Sequence, residues 1–142
     1  MLEAREGTRP LRVQMPIKVQ TYDIDFAGHV NNQVYVRWLE DLRMEILRTY
    51  YPIERLLAER LAPILVSTEI HYKRPLLLTD SPEGDIWVRQ LGHASIHLNA
   101  EITLDGKVCA HATQRLVLLR MPENKPVRLP AEFKEFFERD QS

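Results

Sequence analysis

Between Tyr22 and Asn32 the chain reads Tyr-Asp-Ile-Asp-Phe-Ala-Gly-His-Val-Asn-Asn, setting the carboxylates of Asp23 and Asp25 two residues apart ahead of Gly28, His29, Asn31 and Asn32. Asp, Asn and Gly are turn and helix-cap residues. The first-turn amides of a helix lack intrahelical partners and lie at the positive end of its dipole, so the backbone from Asn31 to Val34 offers donors to an oxyanion or a polarised carbonyl. A carboxylate one short turn upstream, Asp25, can face the same carbonyl and either attack its carbon or draw a proton from water. That pairing suits acyl transfer. A thioester fits it well, because a departing alkyl thiolate, with a conjugate-acid pKa of about 8.5, needs no general acid. Any one Asp or Asn ahead of a helix can be an ordinary cap; the cluster as a whole asks for more.

The elements that must hold this segment follow from periodicity. Upstream, Leu11, Val13, Met15, Ile17 and Val19 alternate with polar residues, as in a half-buried strand. Pro16 cannot donate to a ladder, which places that strand at an edge or bulges it. Downstream, Tyr35, Trp38, Leu39, Leu42 and Ile46 recur at helical spacing and predict a helix over about 32–49. Tyr51-Pro52 ends it, and a short helix from Ile53 to Leu61 precedes Pro63.

Beyond Pro63 the chain alternates again. Ile64, Val66, Thr68, Ile70 and Tyr72 predict one strand face, a second strand spans about 84–92, and Ile96, Leu98, Ala100, Ile102 and Leu104 form the inward face of a third. Asp105-Gly106 supplies a two-residue hairpin turn into a fourth strand over about 107–121. A proline-rich loop over 122–130 and a short helix from Ala131 to Arg139 complete the chain. Residues 1–10 show no periodicity and read as a flexible N-terminal tail, leaving 11–142 as a single domain. One long apolar helix and an antiparallel sheet of about five strands make an α+β layer packing in which the sheet wraps the helix.

Composition bounds the partners. At 142 residues, 44% hydrophobic and 27% charged, with 19 basic and 20 acidic side chains, the chain has the profile of an ordinary globular domain. It lacks the basic footprint that nucleic acid or an anionic membrane surface demands. The lone Cys109 excludes an intramolecular disulfide and a thiolate-rich metal site, which points to a reducing compartment. No apolar run is long enough to span a bilayer and residues 1–10 hold no apolar leader core, so the expectation is a cytoplasmic protein.

The run from Tyr22 to Tyr35, followed by Trp38-Leu39-Glu40, resembles the signature of hotdog-fold thioesterases of the 4-hydroxybenzoyl-CoA thioesterase family. Plant acyl-carrier-protein thioesterases are similar here too. The resemblance extends through Tyr72-Lys73-Arg74-Pro75-Leu76 and Leu91-Gly92-His93-Ala94-Ser95, and covers about residues 13–120. It implies an acyl-CoA thioesterase with coenzyme A as part of the substrate and no metal or redox cofactor. It further implies a homodimer with a continuous sheet, paired into a dimer of dimers, with active sites at the subunit interface. By this resemblance Asp25 is the catalytic nucleophile or general base, and the backbone amide near Asn32 polarises the carbonyl. His29 stands where the plant enzymes have a His, while Ala27 replaces their Asn. Arg74, His93 and Ser95 fall at strand ends suited to coenzyme A, and Tyr35 lies where it could line an acyl pocket. Alternative readings on the same fold are an acyl-carrier-protein thioesterase, a dehydratase or hydratase, and a non-catalytic acyl-binding module.

The remaining chemistry-bearing residues have plainer readings. Glu40 is expected to form a helix-face ion pair with Arg37 or Arg43, with a direct role as the lesser alternative. His71, His97 and His111 alternate onto polar strand faces as solvated or interface residues, and Cys109 reads as a small core residue.

Overall fold

The computed structural model describes all 142 residues. Its elements in chain order are β1 (Leu2–Glu3), β2 (Val13–Pro16), α1 (Asn32–Tyr50), α2 (Ile53–Ala58), β3 (Leu61–Tyr72), β4 (Glu83–Leu91), β5 (Ser95–Leu104), β6 (Lys107–Arg120), β7 (Lys125–Pro126) and α3 (Ala131–Arg139). The antiparallel sheet runs β4-β5-β6-β3, with β1 and β2 both on the outer edge of β4 and β7 against β6. This is the α+β arrangement that the alternation and the single long helix predict.

Helix α1 forms because its polar residues and its apolar stripe separate cleanly around the axis. Asn31 caps it, its side-chain oxygen accepting the Gln33 N–H at 3.0 Å. Val34, Tyr35, Trp38, Leu39, Leu42 and Ile46 are buried against the sheet, each large side chain contributing about 1.5–3 kcal/mol by leaving water. The sheet floor beneath the start of the helix is small-residue ground: Tyr35 and Leu39 lie over Ala100, Ala110 and Ala112. Those alanines leave room for the aromatic pair Tyr35 and Trp38, whose ring centroids meet edge to face at 5.0 Å.

The β5 alternation appears as predicted, with Ile96, Leu98, Ala100 and Ile102 all buried. The Asp105-Gly106 turn takes positive φ at both residues. Three features differ from the sequence reading. The strand expected over 11–19 shortens to Val13–Pro16 on an edge: the Ile17 N–H still reaches the Pro82 carbonyl at 2.9 Å, but Pro82 has no N–H to return and the ladder stops there. In β3 a register shift between Leu65 and Ser67 breaks the single face expected for Ile64, Val66, Thr68, Ile70 and Tyr72. As the open edge of the sheet, β3 leaves Ile64, Leu65 and Val66 exposed. Finally, where composition suggests a loose tail, Leu2 and Glu3 pair with Leu91 and Gln90, and Arg9 lies 4.0 Å over the Trp87 ring while bonding Asp85 and Glu101. A two-residue strand carries no periodicity to read.

Candidate active site

The loop from Gln20 to Asn31 is a small hydrogen-bonded unit. Ile24 and Val30 form a bridge, the Asp25 N–H donates to the His29 carbonyl at 2.8 Å, and the Gly28 N–H to the Asp25 carbonyl at 3.0 Å. Gly28 has φ +82°, a conformation that an L side chain adopts only with strain, which is why glycine occupies the tip. Val30 ties the unit to the chain after β3 by donating to the Leu76 carbonyl at 2.8 Å.

Within this unit one oxygen of the Asp25 carboxylate, Oδ1, accepts the Ala27 N–H at 2.9 Å and the His29 N–H at 3.2 Å. Its other oxygen has no protein donor. The carboxylate is therefore fixed through one oxygen and presents the second, partly open to solvent. His29 enters through its backbone; its ring is exposed and makes no hydrogen bond.

The first turn of α1 narrows the donors available. Asn31 takes the Gln33 N–H with its side chain and the Val34 N–H with its carbonyl at 2.9 Å. Among the amides from Asn31 to Val34, the Asn32 N–H is left without an acceptor. Tyr72 reaches the same turn from the end of β3, its hydroxyl donating to the Asn32 carbonyl at 3.0 Å and its ring meeting Tyr35 edge to face at 5.1 Å.

Asp23, two residues from Asp25, does a different job. It is 1% exposed, accepts the Arg37 guanidinium at 2.6 Å and the Gln20 N–H at 2.8 Å, and its carbonyl accepts the Asn31 N–H at 2.8 Å. It thus locks the loop to the helix start. This corrects the expected Glu40 pairing: Arg37 turns to Asp23, Arg43 donates to Gln114 at 2.8 Å, and Glu40 has no ion pair. The Asp23–Arg37 link spans fourteen residues, beyond the reach of helical spacing rules.

The other candidates separate. Tyr35 is buried over a crevice of about 10 Å³, room for a single water, and burial pushes its phenol up to about 12. Arg74 is exposed just beyond β3, near the Asp25 end of the sheet. His93 and Ser95 lie at the β4–β5 turn, at the opposite end. Ser95 pairs with Val117, whereas the Tyr72 row runs through Ala110 to Ile102. From Ser95 to Ile102 along β5 is about 24 Å, so one protomer does not bring Ser95 to Asp25. His71 and His111 stack on the outer sheet face with centroids 4.7 Å apart, and Cys109 is buried in the core.

The family model described as "Thioesterase-like superfamily" matches residues 19–137. The long-chain acyl-CoA thioesterase FadM of Escherichia coli (strain K12) is 32% identical over 128 residues, spanning 89% of this chain and 97% of FadM. Among solved structures, YbaW of Escherichia coli, described as a "Probable Thioesterase", superposes with TM-score 0.78 at 30% identity, covering 91% of this chain and 98% of its own. The 1,4-dihydroxy-2-naphthoyl-CoA thioesterase Slr0204 from Synechocystis has a TM-score of 0.79 at 18% identity, over 89% of this chain and 95% of its own, and shares the fold.

Proposed function

This chain belongs to the thioesterase-like superfamily and is a thioester hydrolase of hotdog fold, and from that premise we propose that it cleaves acyl-CoA thioesters with Asp25 as the catalytic carboxylate. The observation that carries the assignment is the pairing of a carboxylate fixed through one oxygen with a helix-start amide that has no acceptor. The Asn32 N–H polarises the thioester carbonyl. Asp25 Oδ2 attacks the carbonyl carbon, or takes a proton from the water that does. The C–S bond breaks, coenzyme A leaves as its thiolate, and water supplies the oxygen of the free acid and the proton for the thiol. The name of FadM, a long-chain acyl-CoA thioesterase, supports coenzyme A as the carrier.

The exposed β3 edge supports a dimer. Two copies joined antiparallel at β3 about a two-fold axis would bring the Tyr72 end of one protomer beside the Leu61 end of the other. The β4–β5 turn lies at that Leu61 end, so His93 and Ser95 of one copy would approach Asp25, Asn32 and Arg74 of the other. Pairing would also cover Ile64, Leu65 and Val66. A reducing, cytoplasmic setting completes the reading, supported by the single buried cysteine. Free-thiol release from short, long and aromatic acyl-CoAs, run beside the corresponding acyl carrier proteins, tests the proposal. Turnover of one acyl-CoA class is expected; thiol release from carrier protein alone, or from no donor, would overturn the coenzyme A assignment.

A further inference from the structure

A second feature lies along α1, away from Asp25 of the same protomer. The C-terminal half of the helix, the inner sheet face, α2 and α3 enclose a cavity of about 150 Å³, walled by apolar side chains including Ile46, Leu98, Leu116 and Phe133. Its polar wall consists of Arg43 and Glu40. Asp25, His29 and Asn32 do not line it, and Arg43 is eleven residues along α1 from Asn32, about 16 Å at the helical rise.

Arg43 is the unusual member of that wall. Of the two arginines that are not exposed, Arg9 is held between the carboxylates of Asp85 and Glu101, while Arg43 has no carboxylate in ion-pairing range. Its one protein partner is the Gln114 side-chain oxygen, leaving most of a five-donor guanidinium without a protein acceptor. Burial lowers its pKa below the ordinary value, and the charge of Glu40 acts the other way. A half-buried cation with no carboxylate partner, set beside apolar walls, is a ready partner for a bound anion.

We propose that this cavity binds a small apolar carboxylic acid, its hydrocarbon part among the leucines and phenylalanine and its carboxylate on Arg43. An apolar cavity of this size takes a guest of about six carbons, such as a benzene ring, and guanidinium is the side chain best matched to a carboxylate. Free acids are the product class of the reaction proposed above, but the binding proposal stands without that reaction.

The test is calorimetric titration of the full-length protein with sodium hexanoate, with 1-hexanol and hexylammonium as matched probes. Hexanoate is expected to bind best and hexylammonium worst. Arg43→Met, which keeps the bulk and removes the charge, should weaken hexanoate about ten- to hundredfold while leaving hexanol unchanged. Glu40→Gln should tighten hexanoate, and Asp25→Asn should leave it unaltered. Equal affinity for all three probes on the wild type would overturn the proposal, without relying on any variant folding. So would undiminished hexanoate binding by Arg43→Met, or tighter binding by Asp25→Asn, which removes a like charge and would place the acid at the catalytic loop instead.

Discussion

Replacing Arg37 by Met removes the counter-ion of Asp23, a carboxylate 1% exposed, while retaining most of the side-chain bulk. Breaking a buried pair from one side costs about 3–5 kcal/mol, because the remaining charge cannot reach water. Arg37 is itself 52% exposed, and the Gln20 N–H still reaches Asp23 after the change. The lower end, about 3 kcal/mol, is therefore expected. For a chain of this size that lowers Tm by about 10 °C. Asp23→Leu combined with Arg37→Met strands no charge; it leaves the Gln20 N–H without an acceptor, at about 1–2 kcal/mol. The double variant should thus melt above the single Arg37→Met variant. Thermal unfolding by circular dichroism reads both. Because the Asp23 carbonyl also receives the Asn31 N–H, thiol release by Arg37→Met should show a lower kcat at temperatures where the variant is fully folded. Melting together with the wild type, or a double variant that melts below the single one, would refute the locking role given to this pair.

Tyr72→Phe deletes the hydroxyl bonded to the Asn32 carbonyl; a loss of about 0.5–1.5 kcal/mol is expected, read as a several-fold fall in kcat with an intact circular dichroism spectrum. Gly84→Ala would set a Cβ 3.0 Å from a Leu42 methyl and 3.1 Å from Ile17, so overpacking of about 1–3 kcal/mol should appear in denaturant titration. Burial raises the Tyr35 phenol to about 12, against about 10 in the unfolded chain, so its stabilising contribution is complete below pH 10 and lost as pH rises towards 12. Tm should fall through that window, and Tyr35→Phe should flatten the decline.

The parts of the fold legible in the sequence are those in which one local rule acts over many residues. The α1 stripe and the β5 alternation each repeat several times, and Asp105-Gly106 names its own turn. What escaped depends on contacts distant in sequence. The β3 register shift reflects an open edge that no longer enforces a single buried face, and β1 is too short to have a period. At the site, the cluster was visible but the division of labour between its two carboxylates was not. Asp23 and Asp25 have the same side chain; only the arrival of Arg37 from one side, and of the Ala27 and His29 amides from the other, separates a lock from a reactive group. Likewise, the four donors from Asn31 to Val34 reduce to the Asn32 N–H once Asn31 has taken those of Gln33 and Val34 and the Asp23 carbonyl that of Asn31.

Asp25→Asn is the most direct test of the catalytic assignment. The amide oxygen can still accept from Ala27 and His29, so the loop should keep its shape and the protein its Tm. Only the charge and basicity of the free oxygen are removed. The measurement is the rate of thiol release from the best acyl-CoA substrate by folded Asp25→Asn beside the wild type. A fall of about 10²-fold or more is predicted; turnover at the wild-type rate would contradict the assignment.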